Sequence, residues 1–108
     1  MLKKKYILPR KKNIMQNAKV IRTDYFLVKY EKNNLDFPRF AVIVPKKLTK
    51  KSVIKNKIKR KIKTILKDYI DIGSFDFLIF MLKLETNFWV LKEKIKEVFD
   101  LLKQSNQC

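Results

Sequence analysis

The residues best able to do chemistry lie between positions 46 and 63, where ten of the eighteen side chains are basic and none is acidic. They are Lys46, Lys47, Lys50, Lys51, Lys55, Lys57, Lys59, Arg60, Lys61 and Lys63. A charged helix face is usually only a solvated surface, but its signs then alternate, because like charges four residues apart destabilise a helix by roughly 0.2–0.5 kcal/mol per pair. Lys55, Lys59 and Lys63 have this unfavourable spacing. The segment is therefore predicted to bind a polyanion, whose phosphates would offset the repulsion.

The charge of the whole chain supports the same prediction. Its 108 residues include 27 Lys and Arg against 10 Asp and Glu, a formal net charge of +17. Residues 1–67 hold 22 of the basic residues and 3 of the acidic ones, so the polyanion is expected to meet the first two thirds of the chain. Lys far outnumbers Arg, which favours point contacts with phosphate over bidentate reading of guanine edges. Contact with the backbone of a folded RNA is thus favoured, and no DNA partner is expected.

Several chemistries are excluded by composition. The chain has no His, and its one Cys is Cys108, so a Ser-His-Asp triad, a Cys-His dyad and a zinc site with His or several Cys ligands are all impossible. Asp68 and Asp71 are interpreted as a helix end and a turn rather than a metal site. The longest apolar stretch, residues 77–82, is too short to span a membrane. We expect no catalytic residue, no bound metal, no membrane partner and a cytoplasmic location.

The elements that position the basic residues follow from hydrophobic patterning. A helix is predicted from Ser52, as its N-cap, to about residue 69, with Ile54, Ile58, Ile62, Ile65, Leu66 and Tyr69 on one face. Strands are predicted at residues 40–44 and 75–82, before and after this helix. Strand, helix and strand in succession form a βαβ unit, so these two strands are predicted to be parallel. The run at 40–44 is apolar without a break, and it is expected to be buried on both faces.

The remaining elements complete a single domain, residues 1–108, of the α+β class. Residues 1–9 are expected to be disordered, a short helix is predicted at 10–18, and a strand at 25–30 is expected to form a hairpin with 40–44. A short extra strand is possible near 19–22. The last helix, residues 87–103, is interpreted as a packing helix, with Trp89 over the sheet edge. The predicted order is α-β-β-(β)-α-β-α, a small α/β sandwich.

The segment 44–63, VPKKLTKKSVIKNKIKRKIK, resembles the bacterial ribonuclease P protein subunit. In that family a strand ends in Lys-Lys and leads to a helix that bears Arg-Asn-Arg and then Lys-Arg. Here Lys55, Asn56 and Lys57 stand at the Arg-Asn-Arg positions, Lys59 and Arg60 at the Lys-Arg pair, and Lys63 at a further basic position. Both arginines of the motif are thus Lys, and the paired Phe of the family's first helix is absent from residues 10–15. The resemblance extends to residues 25–30, 39–47 and 76–80.

The resemblance implies a left-handed βαβ crossover around the basic helix and a role in tRNA 5′ maturation. The protein would bind the catalytic RNA of ribonuclease P and the 5′ leader of precursor tRNA, while catalysis and its Mg ions would belong to the RNA. The implied RNA-binding residues are Lys46, Lys47, Lys51, Lys55, Asn56, Lys57, Lys59, Arg60, Lys61 and Lys63. Tyr25 and Lys29, on one face of their strand by alternation, are candidates for the leader cleft. A small structural RNA-binding protein, such as a ribosomal protein, is the alternative.

Overall fold

The structure is a computed structural model that describes residues 3–8 and 18–105. It contains four strands and two α-helices, in the order β1 (Lys19–Arg22), β2 (Phe26–Lys32), β3 (Arg39–Ile43), α1 (Ser52–Leu66), β4 (Phe75–Met81) and α2 (Phe88–Ser105). Short 3-10 turns occupy Lys4–Tyr6 and Lys67–Tyr69. The α+β class and the short strand near residue 19 are confirmed. The helix predicted at residues 10–18 lies almost wholly outside the described residues.

The four strands form one mixed sheet in the order β1-β2-β4-β3. β3 runs parallel to β4, with Arg39 opposite Asp76, as the strand-helix-strand succession predicted. β2 is antiparallel to β4, with Phe26 opposite Met81, so β4 lies between β2 and β3. The predicted hairpin between β2 and β3 is therefore wrong. The nearly continuous apolar sequence of β4 suits this central place, where its side chains are buried on both faces of the sheet.

β3 is an edge strand of this sheet, and burial along it alternates. Phe40, Val42 and Val44 are buried, whereas Ala41 and Ile43 are only partly so. The expectation that residues 40–44 are buried on both faces is therefore wrong. Residues 3–8, which were expected to be disordered, instead reach this edge: Ile7 forms a parallel bridge with Phe40, and the Leu8 N–H donates to the Phe40 carbonyl at 2.8 Å.

The core lies between one face of the sheet and the two helices. Its aromatic centre is formed by Phe40 and Phe77, stacked with ring centroids 5.2 Å apart, and by Phe99 of α2, which meets both edge-on. Helix α1 contributes Ile58, Ile62, Ile65 and Leu66, all buried as predicted. Helix α2 contributes Leu91, Ile95, Val98, Phe99 and Leu102, also as predicted. Burial of these side chains fixes α1 on the sheet.

The two helices begin in different ways. The N-cap residue of α1 is Lys51, which makes no side-chain cap, and Ser52 is the first helical residue, so the predicted Ser52 cap is wrong. Thr49 Oγ1 instead accepts the Lys51 N–H at 3.2 Å, one residue before the helix. At α2, Asn87 Oδ1 accepts the N–H of Trp89 at 2.9 Å and of Val90 at 3.4 Å, which is a side-chain N-cap.

A largely buried ion pair joins the first residue of β3 to the second residue of β4. Arg39 donates through Nε and Nη2 to the two carboxylate oxygens of Asp76, both at 2.8 Å. Asn33, after β2, donates from Nδ2 to Asp76 Oδ1 at 2.9 Å. Asp76 therefore links β4 to β3 and to the segment that follows β2.

Candidate nucleic-acid interface

Six cations of α1 and the Asn56 between them form what we call the basic face: Lys55, Asn56, Lys57, Lys59, Arg60, Lys61 and Lys63. Asn56, Lys57 and Arg60 are exposed, and the other four are partly exposed. No residue of α1 is acidic. Because Ile58 and Ile62 are fully buried beneath it, the helix cannot rotate without exposing its apolar side. The fold therefore holds the basic face toward solvent.

The basic face has two flanks. On one flank, Lys61 Nζ donates a hydrogen bond to the carbonyl of Thr86, in the loop that leads to α2. On the other, Lys55, Lys59 and Lys63 line a groove of about 350 Å³ together with residues 40–44 and the N-terminal Ile7 and Leu8. The basic face and its two flanks thus extend from the loop before α2, across α1, to the outer edge of β3.

The loop between β3 and α1 extends the row of cations. Lys46 and Lys47 are exposed in a turn closed by the Leu48 N–H, which donates to the Pro45 carbonyl at 3.1 Å. Lys50 and Lys51 are exposed just before α1. The structure thus places all ten predicted RNA-binding residues in one continuous segment, the loop and the helix after β3.

Tyr25 and Lys29 have different surroundings. Tyr25 lies at a bend before β2, and its ring is flanked by Lys83 Nζ at 5.4 Å and Lys94 Nζ at 5.2 Å from the centroid. Lys29 lies on β2, with its Nζ 5.8 Å from the ring centroid of Phe80 on β4. Sequence reasoning missed Lys83 and Lys94, because a residue so far along the chain gives no local signal of contact with Tyr25.

The described part of the chain offers no set of side chains for metal-dependent chemistry. Among residues 3–8 and 18–105, no group of three His, Cys, Asp or Glu side chains could hold a metal ion. Asp68 lies in the 3-10 turn after α1 and Asp71 in the turn that follows, as interpreted. No described helix is long and apolar enough to cross a membrane.

Fold and surface together define a class: a small α+β RNA-binding protein that presents a cationic helix from a parallel β3-α1-β4 unit. The family model of Ribonuclease P matches residues 2–104, and the chain belongs to that family. The search of curated proteins found no match.

Solved structures of ribonuclease P proteins share the fold. One from Thermotoga maritima is 24% identical, covers 88% of this chain and 96% of its own, and superposes with a TM-score of 0.77. Another from the same organism, in complex with 1-(4-fluorophenyl)-2-thiourea, is 26% identical, covers 77% and 84%, and has a TM-score of 0.69. A mutant from Staphylococcus aureus, described as having defective mRNA degradation activity, is 21% identical, covers 93% and 90%, and has a TM-score of 0.78.

Family membership confirms the resemblance found in residues 44–63. The chain is a protein subunit of the endoribonuclease ribonuclease P, which binds RNA and serves tRNA 5′ processing, and the protein alone is not the catalytic centre.

Proposed function

We propose that this chain binds the catalytic RNA of ribonuclease P and the 5′ leader of precursor tRNA, and so assists removal of the leader. The observation that carries the proposal is the basic face of α1, which contains six cations and no acidic residue and is held outward by buried isoleucines. Phosphate groups are the natural partners of such a surface. Mg ions would act in the RNA, and the complex would work in the cytoplasm.

The contact is proposed to be chiefly with phosphates and sugars rather than base edges. The residues that carry it are Lys46, Lys47, Lys51, Lys55, Asn56, Lys57, Lys59, Arg60, Lys61 and Lys63. Because Lys replaces Arg at positions 55 and 57, these contacts are point charges rather than bidentate forks. Asn56 lies exposed between the two lysines and can both donate and accept a hydrogen bond to a ribose or phosphate.

We assign leader contact to Tyr25 and Lys29, with Lys83 as an added cation. A ring flanked by two ammonium groups offers a stacking surface beside charge, which suits a single-stranded nucleotide chain. Lys29 lies next to Phe80, where an apolar surface and a charge again occur together.

Reconstitution tests the function directly. The purified protein is added to the catalytic RNA of ribonuclease P with a leader-bearing precursor tRNA at low magnesium, and leader cleavage is measured. Stimulated cleavage is the expected result. Binding of the RNA without any stimulation would instead favour a purely structural RNA-binding protein.

A charge-matched pair of variants tests the site. Replacing Lys55, Asn56, Lys57 and Arg60 by Ala removes three charges from the basic face, and affinity for the catalytic RNA should fall. The slope of log affinity against log salt should flatten by about 2–3, since each lost phosphate contact removes roughly 0.7–0.9. The control replaces Lys32, Lys96 and Lys103, which are exposed outside α1 and carry the same total charge. Equal losses in both variants would show that net charge, not the basic face, holds the RNA.

A further inference from the structure

One large aromatic side chain is exposed at the start of α2. Trp89 is 70% exposed, and it is the only tryptophan of the chain. We had expected it to pack over the sheet edge, and that expectation is wrong. Lys92, one helical turn later, places its Nζ 5.5 Å from the indole centroid. An indole surface beside an ammonium group is thus presented to solvent.

The indole is attached to a well-fixed part of the backbone. Asn87 caps the first turn of α2 through the Trp89 N–H, and Glu85 Oε2 accepts the N–H groups of Thr86 and Asn87, both at 3.0 Å. Phe88 packs against the core and meets the Trp89 ring edge-on, with centroids 5.4 Å apart. Little conformational freedom of the backbone would be lost if a ligand stacked on the indole.

The loop that leads to Trp89 is joined to the basic face of α1. The Thr86 carbonyl, three residues before Trp89, accepts the hydrogen bond from Lys61 of that face. An RNA lying along α1 therefore passes close to the start of α2. Glu85 and Glu93 make this end of the molecule less cationic than α1, so attraction of phosphate alone would not bring RNA onto α2.

We propose that Trp89 is a stacking platform for one unpaired nucleotide of the RNA that the basic face binds. Every nucleobase has a flat face that stacks on an aromatic ring, and Lys92 beside it can meet the adjoining phosphate. A second copy of the chain is a poorer occupant, since two molecules of charge +17 repel each other. The proposal rests on the RNA-binding function above and adds a base contact to it.

The single tryptophan makes the contact directly measurable. Emission of the intact protein is followed while a short oligoadenylate is added, and binding is measured in parallel by anisotropy of labelled oligoadenylate. Inorganic polyphosphate of matched charge is the control, because it has no bases. Oligoadenylate should quench the emission of Trp89. Polyphosphate should displace labelled oligoadenylate from the protein, but when it is added alone it should leave the emission almost unchanged. Bound RNA without quenching, or equal quenching by polyphosphate, would overturn the platform while leaving the basic face intact. Absence of any RNA binding would overturn the function itself.

Substitution gives a second, independent readout. Trp89→Ala should weaken oligoadenylate binding about 5- to 100-fold, the range of one stacked base, and Trp89→Phe should lose less. The salt slope should stay unchanged, unlike that of the basic-face variant. Leu101→Ala, another exposed apolar residue of α2, is the matched control and should bind normally. Unchanged affinity of Trp89→Ala, or a wild-type dimer in sedimentation that this variant abolishes, would refute the nucleotide as the occupant.

Discussion

Removal of the Asp76 carboxylate should destabilise the fold more than any change on the basic face. Asp76→Ala leaves the Arg39 guanidinium, whose side chain is only 12% exposed, without its partner. Asp76 itself is 9% exposed, so both charges are largely removed from water. Its three side-chain hydrogen bonds, two from Arg39 and one from Asn33, are lost together.

The expected cost is about 3–5 kcal/mol, the usual penalty for leaving one charge of a buried pair uncompensated. We expect the lower end, because Arg39 lies on an edge strand. A loss of about 3 kcal/mol corresponds to a fall in Tm of roughly 10–20 °C in a domain of this size. The hydrogen bond with Asp76 is the main cause that raises the pKa of Arg39 above its ordinary value. Because a raised pKa keeps the Arg39 guanidinium charged, the free-energy cost of Asp76→Ala should be constant between about pH 7 and 10.

Urea unfolding followed by circular dichroism measures the effect, with Asp76→Ala, Asp76→Leu, Arg39→Met and the double variant Arg39→Met/Asp76→Leu. Each single variant should shift the urea midpoint strongly. The double variant should recover most of the loss, because two apolar side chains leave no unpaired charge. A cost below about 1 kcal/mol for Asp76→Ala, or single losses that simply add in the double variant, would refute the pair as a coupled, buried unit.

Three further substitutions probe the local structure around the helices. Burial, with the charges of Asp100 and Asp68, raises the pKa of Tyr69, so the phenol stabilises the fold below the unfolded pKa near 10, and this contribution is lost as the pH rises through the folded pKa. The stability of Tyr69→Phe relative to wild type, measured by urea unfolding, should therefore improve above about pH 10. A difference in stability that does not depend on pH would contradict this. Gly73→Ala should lower the free energy of unfolding by about 1–3 kcal/mol in the same assay, because Gly73 has φ +126° and an added Cβ would lie 3.0 Å from Phe75 Cε2. An unchanged urea midpoint would show that the turn relaxes around the new side chain. Asn87→Ala removes the cap of α2 and should cost about 1 kcal/mol, whereas Asn87→Ser should keep most of it, and equal losses would show that the cap oxygen is not responsible.

The parts of the fold that sequence predicted well are those fixed by local periodicity. Helix α1 buries Ile58, Ile62 and Ile65 as their spacing required, and β4 is apolar on both faces as its sequence indicated. The pairing of β2 with β4, in place of a hairpin between β2 and β3, could not be foreseen from the same pattern. It joins residues that are 43 to 55 positions apart in sequence, for which short apolar runs carry no partner information.

The candidate site was likewise predicted well where its residues are close in sequence and poorly where folding brings them together. The ten basic residues all lie within the eighteen positions 46–63, so charge and periodicity were enough to place them on one loop and helix. The ring of Tyr25 gains Lys83 and Lys94 only through folding, since the loop after β4 and helix α2 meet the start of β2 in space. Trp89 lies off the apolar stripe of α2 and is 70% exposed, so the expectation that it packs over the sheet edge failed where the local pattern gave no burial signal.

The central place of β4 also sets an order of events during synthesis. β1 and β2 can pair as soon as they leave the ribosome, but β3 has no neighbouring strand until residues 75–81 have been made. By then 22 of the 27 basic residues are already present in the nascent chain. The growing polypeptide is therefore a polycation whose β3 stays unpaired until β4 has been made, and RNA that reaches it early meets the charges before the sheet has arranged them.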